Sequence, residues 1–261
     1  MLLENKNAVI YGAGGSMRGA ISRAFAHEGA KVYLAGRMLE KLNTVAQEIT
    51  ATGGTAETAE VDALDERSVE KHLNEVVDKA GSVDVLFNLI SLGGSQGSHL
   101  VEMSSEDFST PIVNAMRTHF VTATTAGRHM IKQGSGIILA LTAQVARKPY
   151  PDSGGFGVAC AAIEGLLRQL AVELGPHGIR VVCLRSAGSP DAPGVAEAIR
   201  LHAESAGTTP EAFEAQIAEK TLLKRMPKMA DVATAAILMA SDRANAITGA
   251  VANVTCGEIV D

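Results

Sequence analysis

Short runs of consecutive apolar residues alternate along the chain with longer stretches in which apolar residues recur every three or four positions. A continuous apolar run suits a strand buried on both faces, whereas recurrence at three and four suits a helix burying one side. Strands are therefore predicted at NAVIY (7–11), KVYLA (31–35), the TAEVD-like segment near 57–62, VDVLFNL (83–89), GIILAL (136–141), IRVVCL (179–184) and AVANV (250–254). Helices are expected near 17–28, 38–51, 65–80, 105–132 and 154–174. This alternation predicts an α/β protein: a doubly wound parallel sheet of about seven strands with helices on both faces.

No linker or low-complexity segment divides the pattern, so residues 1–261 read as a single domain. Residues 188–220 break the rhythm. GSPDAPG is turn-rich, and TTPEAFEAQIAEK starts a fresh helix with Thr208 and Glu211 in capping-box spacing and Pro210 near its start. A helical insertion at this place in a parallel sheet is expected to act as a lid, because ligands bind outside the carboxyl ends of the strands.

Composition narrows the function classes. A net charge of −6, no Trp, three Tyr and six Phe offer neither a basic surface nor many stacking rings, which argues against nucleic acid and anionic membranes as partners. Cys160, Cys183 and Cys256 are widely spaced and form no C-x-x-C pattern, so neither a disulfide framework nor a metal site is expected. The opening MLLENKNAVIYG has no signal-peptide architecture, and no 18-residue apolar segment stands out, so a cytoplasmic protein is expected.

The segment YGAGGSMRGAISRAFAHEGAKVYLAGR reads as strand, glycine-rich turn, helix and strand. Such a turn lets the backbone approach a pyrophosphate, and the helix N-terminus adds N–H groups and a partial positive charge. With this segment in place, the chain resembles the short-chain dehydrogenase/reductase family over essentially its whole length, which implies a Rossmann-like fold. The family's T-G-x-x-x-G-x-G turn falls on Tyr11, Gly12, Ser16 and Arg18, keeping only the first glycine in register, with Gly14, Gly15 and Gly19 nearby. The G-x5-S-x-A turn of the divergent enoyl-reductase branch would fall on Gly12, Arg18 and Ala20. LLKRMPKMADVATAAILMASDRANAITGAVANV follows the family's C-terminal pattern closely, although the closing D-G-G is Thr255, Cys256 and Gly257.

The resemblance implies cofactor-binding positions at Gly12, Gly14, Ser16, Arg18, Arg37, Asp62 and Asn88. Arg37 follows the second strand, where a basic residue pairs with the 2′-phosphate of NADP, so NADP(H) is expected ahead of NAD(H). Asp62 matches the residue that contacts adenine. Asn88 matches the first residue of N-N-A-G, whose remainder is replaced by Leu89, Ile90 and Ser91.

The catalytic pattern is where the chain departs. Ser-x12-Tyr-x3-Lys can be laid on the sequence without a gap, and it lands on Ala143, Phe156 and Cys160. In the family the Ser orients a carbonyl, the Tyr transfers the proton, and the Lys lowers the Tyr pKa and holds the ribose. None of the three residues present offers those groups. Acid–base catalysis contributes about 10²- to 10⁴-fold, and residues acting as a unit are lost together, so ordinary carbonyl reduction should be slow or absent.

Substitutes are few. Thr142 adjoins Ala143 but should point to the opposite face of its strand. Ser153 occupies the tyrosine position of the Y-x6-K template. Asn114 lies beside the family's helix asparagine, in a register that leaves Ala115 as the alternative. Gln144, Tyr150, Asp152 and His119 are the other polar residues near the site, and Tyr150 and Asp152 sit in a turn where Pro, Asp and Gly have backbone reasons to be. Cys160 as a nucleophile is weaker still, since small buried cysteines are common. In FGVACAAIEGLLRQLAVEL, residues 156, 159, 160, 163, 166, 167 and 170 form a packing stripe. In the resembling family this helix and the preceding one build a dimer interface within a tetramer, which implies a homo-oligomer or a paralogue partner.

Three readings follow: a catalytically inactive binding or regulatory member (a pseudoenzyme), an NADP(H)-dependent oxidoreductase with another proton donor, and a non-redox enzyme of lyase or dehalogenase type. Each takes a small-molecule ligand.

Overall fold

The computed structural model describes residues 1–94 and 96–260. The elements run β1 (Asn7–Tyr11), α1 (Ser16–His27), β2 (Lys31–Gly36), α2 (Leu39–Ala51), β3 (Thr55–Glu60), α3 (Glu66–Ala80), β4 (Val85–Asn88), α4 (Ser105–Gln133), β5 (Gly136–Ala143), α5 (Gly155–Leu174), β6 (Ile179–Ser186), α6 (Pro193–Ser205), α7 (Pro210–Glu219), α8 (Met229–Ala240) and β7 (Val251–Val254). The strands form one parallel sheet in the order β3-β2-β1-β4-β5-β6-β7. Two cores sandwich it. Val9, Tyr11 and Leu86 pack with α3, α4 and α5 on one face, and Ala8, Ile10 and Phe87 pack with α1, α2 and α8 on the other. Central strands buried on both faces explain the unbroken apolar runs.

Local chemistry sets the boundaries. Asp65 caps α3 by accepting from Arg67 N–H, and Ser104 caps α4 by accepting from Asp107 N–H. Gly81 and Gly134 end these helices in left-handed conformation. The third strand begins two residues earlier than its sequence suggested, because the chain reverses at Gly53 (φ 84°) and enters the sheet immediately. The cap of α7 is Thr209, not Thr208: Pro210 takes the first helical position, and Thr209 Oγ1 accepts from Ala212 N–H at 3.2 Å.

The expectation that no apolar stretch reaches membrane-spanning length needs correcting. Gly155–His177, α5 with its 3₁₀ extension, is by length and a mean hydropathy of 1.3 long and apolar enough. Its apolar stripe is spent inside the protein, where Ala159, Cys160, Ile163, Leu167 and Leu170 are buried against the sheet and α4. At its start the two helices meet backbone to backbone: a Cβ on Gly155 would lie 2.0 Å from the Phe108 carbonyl oxygen.

Candidate functional site

The strand order reverses between β1 and β4, and a crevice opens at such a switch point, outside the carboxyl ends of the strands. A cavity of about 260 Å³ lies there, bounded by the β1–α1 turn, the end of β2, the segment after β3 and the segment after β4. Gly12 makes the turn possible. Its φ is +80°, and a Cβ would sit 2.8 Å from the backbone of Ile90. Gly15 caps α1 without a side chain, so no side-chain oxygen occupies the N–H groups of the helix's first turn. Arg18 folds back over Gly15, half-buried, and desolvation lowers its pKa without removing its charge.

Arg37 and Lys41 line the same cavity, and neither they nor Arg18 forms an ion pair with an acid among the described residues. A glycine cradle, an open helix N-terminus and three unpaired cations suit a phosphorylated, dinucleotide-sized anion. Asp62 borders the cavity with Oδ1 accepting from Leu64 N–H at 3.0 Å, which fixes the turn after β3.

Gly12, Gly14, Arg18, Arg37 and Asp62 line this one cavity, while Ser16 and Asn88 lie outside its lining. Ser16 is an exposed first residue of α1. Asn88 is buried and structural: its Nδ2 donates to Thr122 Oγ1 at 3.0 Å and its Oδ1 accepts from Ile90 N–H at 3.0 Å, tying β4 to α4. Lys41, Met38, Ser91 and Thr118 line the cavity without having been singled out in the sequence. The available signal for Lys41 was its place one turn after Arg37. On α4, Asn114 faces the cavity and donates to the Leu92 carbonyl at 3.2 Å, whereas Ala115 is fully buried.

The structure places the three residues on which the family's relay pattern was laid at the end of β5 and the start of α5. Ala143 ends β5, Phe156 opens α5 with its ring against the core, and Cys160 is 1% exposed. Burial pushes the Cys160 thiol up to about 11, so it is protonated and a poor nucleophile at neutral pH. Thr142 is turned into the protein as expected, with Oγ1 donating to Glu164 Oε1 at 3.1 Å and lying 3.4 Å from Cys183 Sγ. Gln144 sits in a 3₁₀ turn with Oε1 enclosed and unpartnered among the described residues. His119 is buried on α4, where desolvation pushes its pKa down to about 4 and Nδ1 contacts the Ala115 carbonyl at 2.9 Å. Ser153, Tyr150 and Asp152 line a different cavity.

Behind the relay positions lies an ion pair that the sequence reading missed. Glu164, one turn beyond Cys160, receives Arg185 Nε on Oε1 at 2.8 Å and Nη2 on Oε2 at 2.7 Å. The available signal was an arginine at the end of the apolar run IRVVCLR.

Sheet order, flanking helices and the switch-point crevice define a doubly wound, Rossmann-like α/β protein. Residues 12–258 match the family model described as enoyl-(acyl carrier protein) reductase, and the chain belongs to the short-chain dehydrogenase/reductase family. It is 28% identical over 257 residues to the 7α-hydroxysteroid dehydrogenase of Escherichia coli K12, covering 98% of this chain and 95% of that protein. Sorbitol-6-phosphate 2-dehydrogenase SrlD from Erwinia amylovora superimposes with a TM-score of 0.89 at 28% identity, over 97% of this chain and 100% of the other. A 7α-hydroxysteroid dehydrogenase complexed with NADH and 7-oxo glycochenodeoxycholic acid gives 0.82 at 26% identity, over 99% and 96%. The oxidoreductase scaffold is therefore established.

Proposed function

We propose that this protein binds a nicotinamide dinucleotide, NADP(H) in preference to NAD(H), and does not carry out ordinary carbonyl reduction. The observation that carries the reading is a contrast between two places: the crevice holds a glycine cradle and three cations, while the family's relay pattern falls on Ala143, Phe156 and Cys160, which offer neither hydroxyl nor lysine. Gly12, Gly14, Gly15 and the α1 N-terminus would face the pyrophosphate, Arg37 and Lys41 a 2′-phosphate, and Asp62 the adenine. The bound nicotinamide supplies hydride transfer in this family. Among this chain's residues, no hydroxyl at 143 or 156 can orient a carbonyl or pass on a proton, and the Cys160 thiol, unlike a lysine, cannot reach a ribose. The segment 188–220, with α6 and α7, would cover the crevice as a lid.

A second reading, an oxidoreductase whose proton donor lies elsewhere, draws support from relatives named as dehydrogenases. Calorimetric titration with NADPH and NADH, followed by turnover assays on ketones, aldehydes and enoyl thioesters, separates the two. Binding of NADPH at least ten-fold tighter than NADH, with no turnover, supports the proposal. Turnover supports the second reading, and no binding of either nucleotide at millimolar concentration rejects both.

A further inference from the structure

Tyr11 ends β1 one residue before the Gly12 turn and lines the crevice. Its strand is paired on both sides, with β2 and with β4, so the backbone at this point is fixed. The side chain packs on the face covered by α3, and its hydroxyl lies 2.9 Å from His72 Nδ1, with the two rings edge to face at 5.5 Å and 86°. Both residues are buried, at 0% and 5% exposure. Desolvation raises the phenol's pKa and pushes the imidazole down to about 4, so at neutral pH two uncharged groups share this hydrogen bond. The family's turn has threonine at this position. A threonine hydroxyl sits on the β-carbon and is too short to reach a helix packed over the sheet, whereas tyrosine spans the distance.

The partner helix carries one wall of the crevice. Val61, Asp62, Ala63 and Leu64 line it and run directly into α3 at the Asp65 cap. Val61 N–H donates to the Gly36 carbonyl at 3.1 Å, which anchors the near end of this segment to β2. Leu64 N–H donates to Asp62 Oδ1 and Asp65 N–H to the Asp62 carbonyl, both at 3.0 Å, and these internal bonds set the turn's shape without setting its place. Its place depends on how α3 is seated. Val69 and Leu73 pack there, but apolar contact is non-directional and leaves a helix free to slide. Among the described residues, the other side-chain hydrogen bonds from α3 to a strand hold its far end: Lys79 Nζ donates to Glu57 Oε2 at 2.6 Å, and Asn7 Nδ2 to the Ala80 carbonyl at 3.4 Å. Tyr11–His72 is the buried link, and it is directional.

We propose that Tyr11 and His72 are positioning residues: their hydrogen bond seats α3 and thereby holds residues 61–64 at a fixed distance from the β1–α1 turn, setting the width of the crevice where an adenine would lie. The adenine rests on the nucleotide reading given above; the seating of 61–64 does not.

Amide hydrogen exchange of the ligand-free chain is followed in the parent, Tyr11→Phe, His72→Leu, the double variant and His72→Asn, which keeps a hydrogen-bonding atom near the Nδ1 position. The Val61, Leu64 and Asp65 amides should exchange about five-fold faster in Tyr11→Phe and in His72→Leu, the loss of one net hydrogen bond. The double variant should be no faster than either single one, because both changes remove the same bond. His72→Asn should stay within about two-fold of the parent. A bond that served stability alone would speed only core amides of β4 and β5, which open with the whole molecule, and leave the locally opening 61–65 as in the parent. That pattern, or additive effects in the double variant, would overturn the proposal. In a second arm, NADPH affinity should fall about five-fold in Tyr11→Phe, while inorganic pyrophosphate, which needs only the glycine cradle, stays within about two-fold. Equal losses for the two probes would also overturn it. A parent chain that binds no NADPH rejects the nucleotide reading alone, and the exchange result then decides the seating.

Discussion

Glu164 and Arg185 meet as two forks inside the protein, with side chains only 6% and 4% exposed, joining α5 to β6 one helical turn beyond Cys160. Removing one member strands a buried charge. Arg185→Met should destabilise by about 3–5 kcal/mol, whereas Glu164→Leu combined with Arg185→Met should recover most of that loss. Denaturant unfolding of the single and double variants closes the cycle.

Two histidines make the protein acid-sensitive. His72, bonded through Nδ1 to the Tyr11 hydroxyl at 2.9 Å, and His119 are both pushed down to about 4, chiefly by desolvation. In the unfolded chain each titrates near 6.5. Their folded pKa values are depressed, so stability is complete above about pH 6.5 and falls as pH drops toward 4, by about 1.4 kcal/mol per pH unit for each proton the unfolded state alone takes up. Unfolding free energy measured from pH 7 to 4 should follow that slope, and His119→Gln should make it shallower.

Installing the family's Ser, Tyr and Lys at 143, 156 and 160 tests the proposed absence of carbonyl reduction directly. Ala143→Ser, Phe156→Tyr and Cys160→Lys together should create NADPH-dependent reduction of a simple aldehyde at least 10²-fold above the parent chain. Each single variant should remain near the parent rate, since members of one relay act together. A silent triple variant that still binds NADPH would place the block at the β1–α1 turn and the first turn of α1, where Arg18 stands.

Self-association is expected through the outer faces of α4 and α5 toward their C-terminal ends, where Phe120 and Val172 are 54% and 74% exposed. The resemblance to an oligomeric family points the same way. Phe120→Glu should lower the sedimenting mass without lowering the monomer's far-ultraviolet signal. An unchanged mass would exclude this face.

The fold was legible because parallel strands buried on both sides must be apolar throughout, and the helices between them must carry one apolar stripe. The β1–α1 turn was legible for a similar reason, since the backbone's approach to Ile90 leaves Gly12 no substitute. The bracing of α4 by Asn88 was not legible, because Thr122 lies 34 residues away on another element. Lys41 escaped because the crevice it lines is assembled from separate segments, and Glu164 and Arg185 because each partner lies on another element; spacing in the chain carries no record of such meetings.

Gly155 shows how α5 is seated on α4. The position of α5 is set where main chain touches main chain, at the carbonyl of Phe108, and nothing facing the crevice takes part in that contact. Shape and reactivity are thereby held by different residues. The main-chain contact that seats α5 is thus independent of the side chains at 143, 156 and 160, and a change of chemistry at those positions leaves the seat of the helix in place.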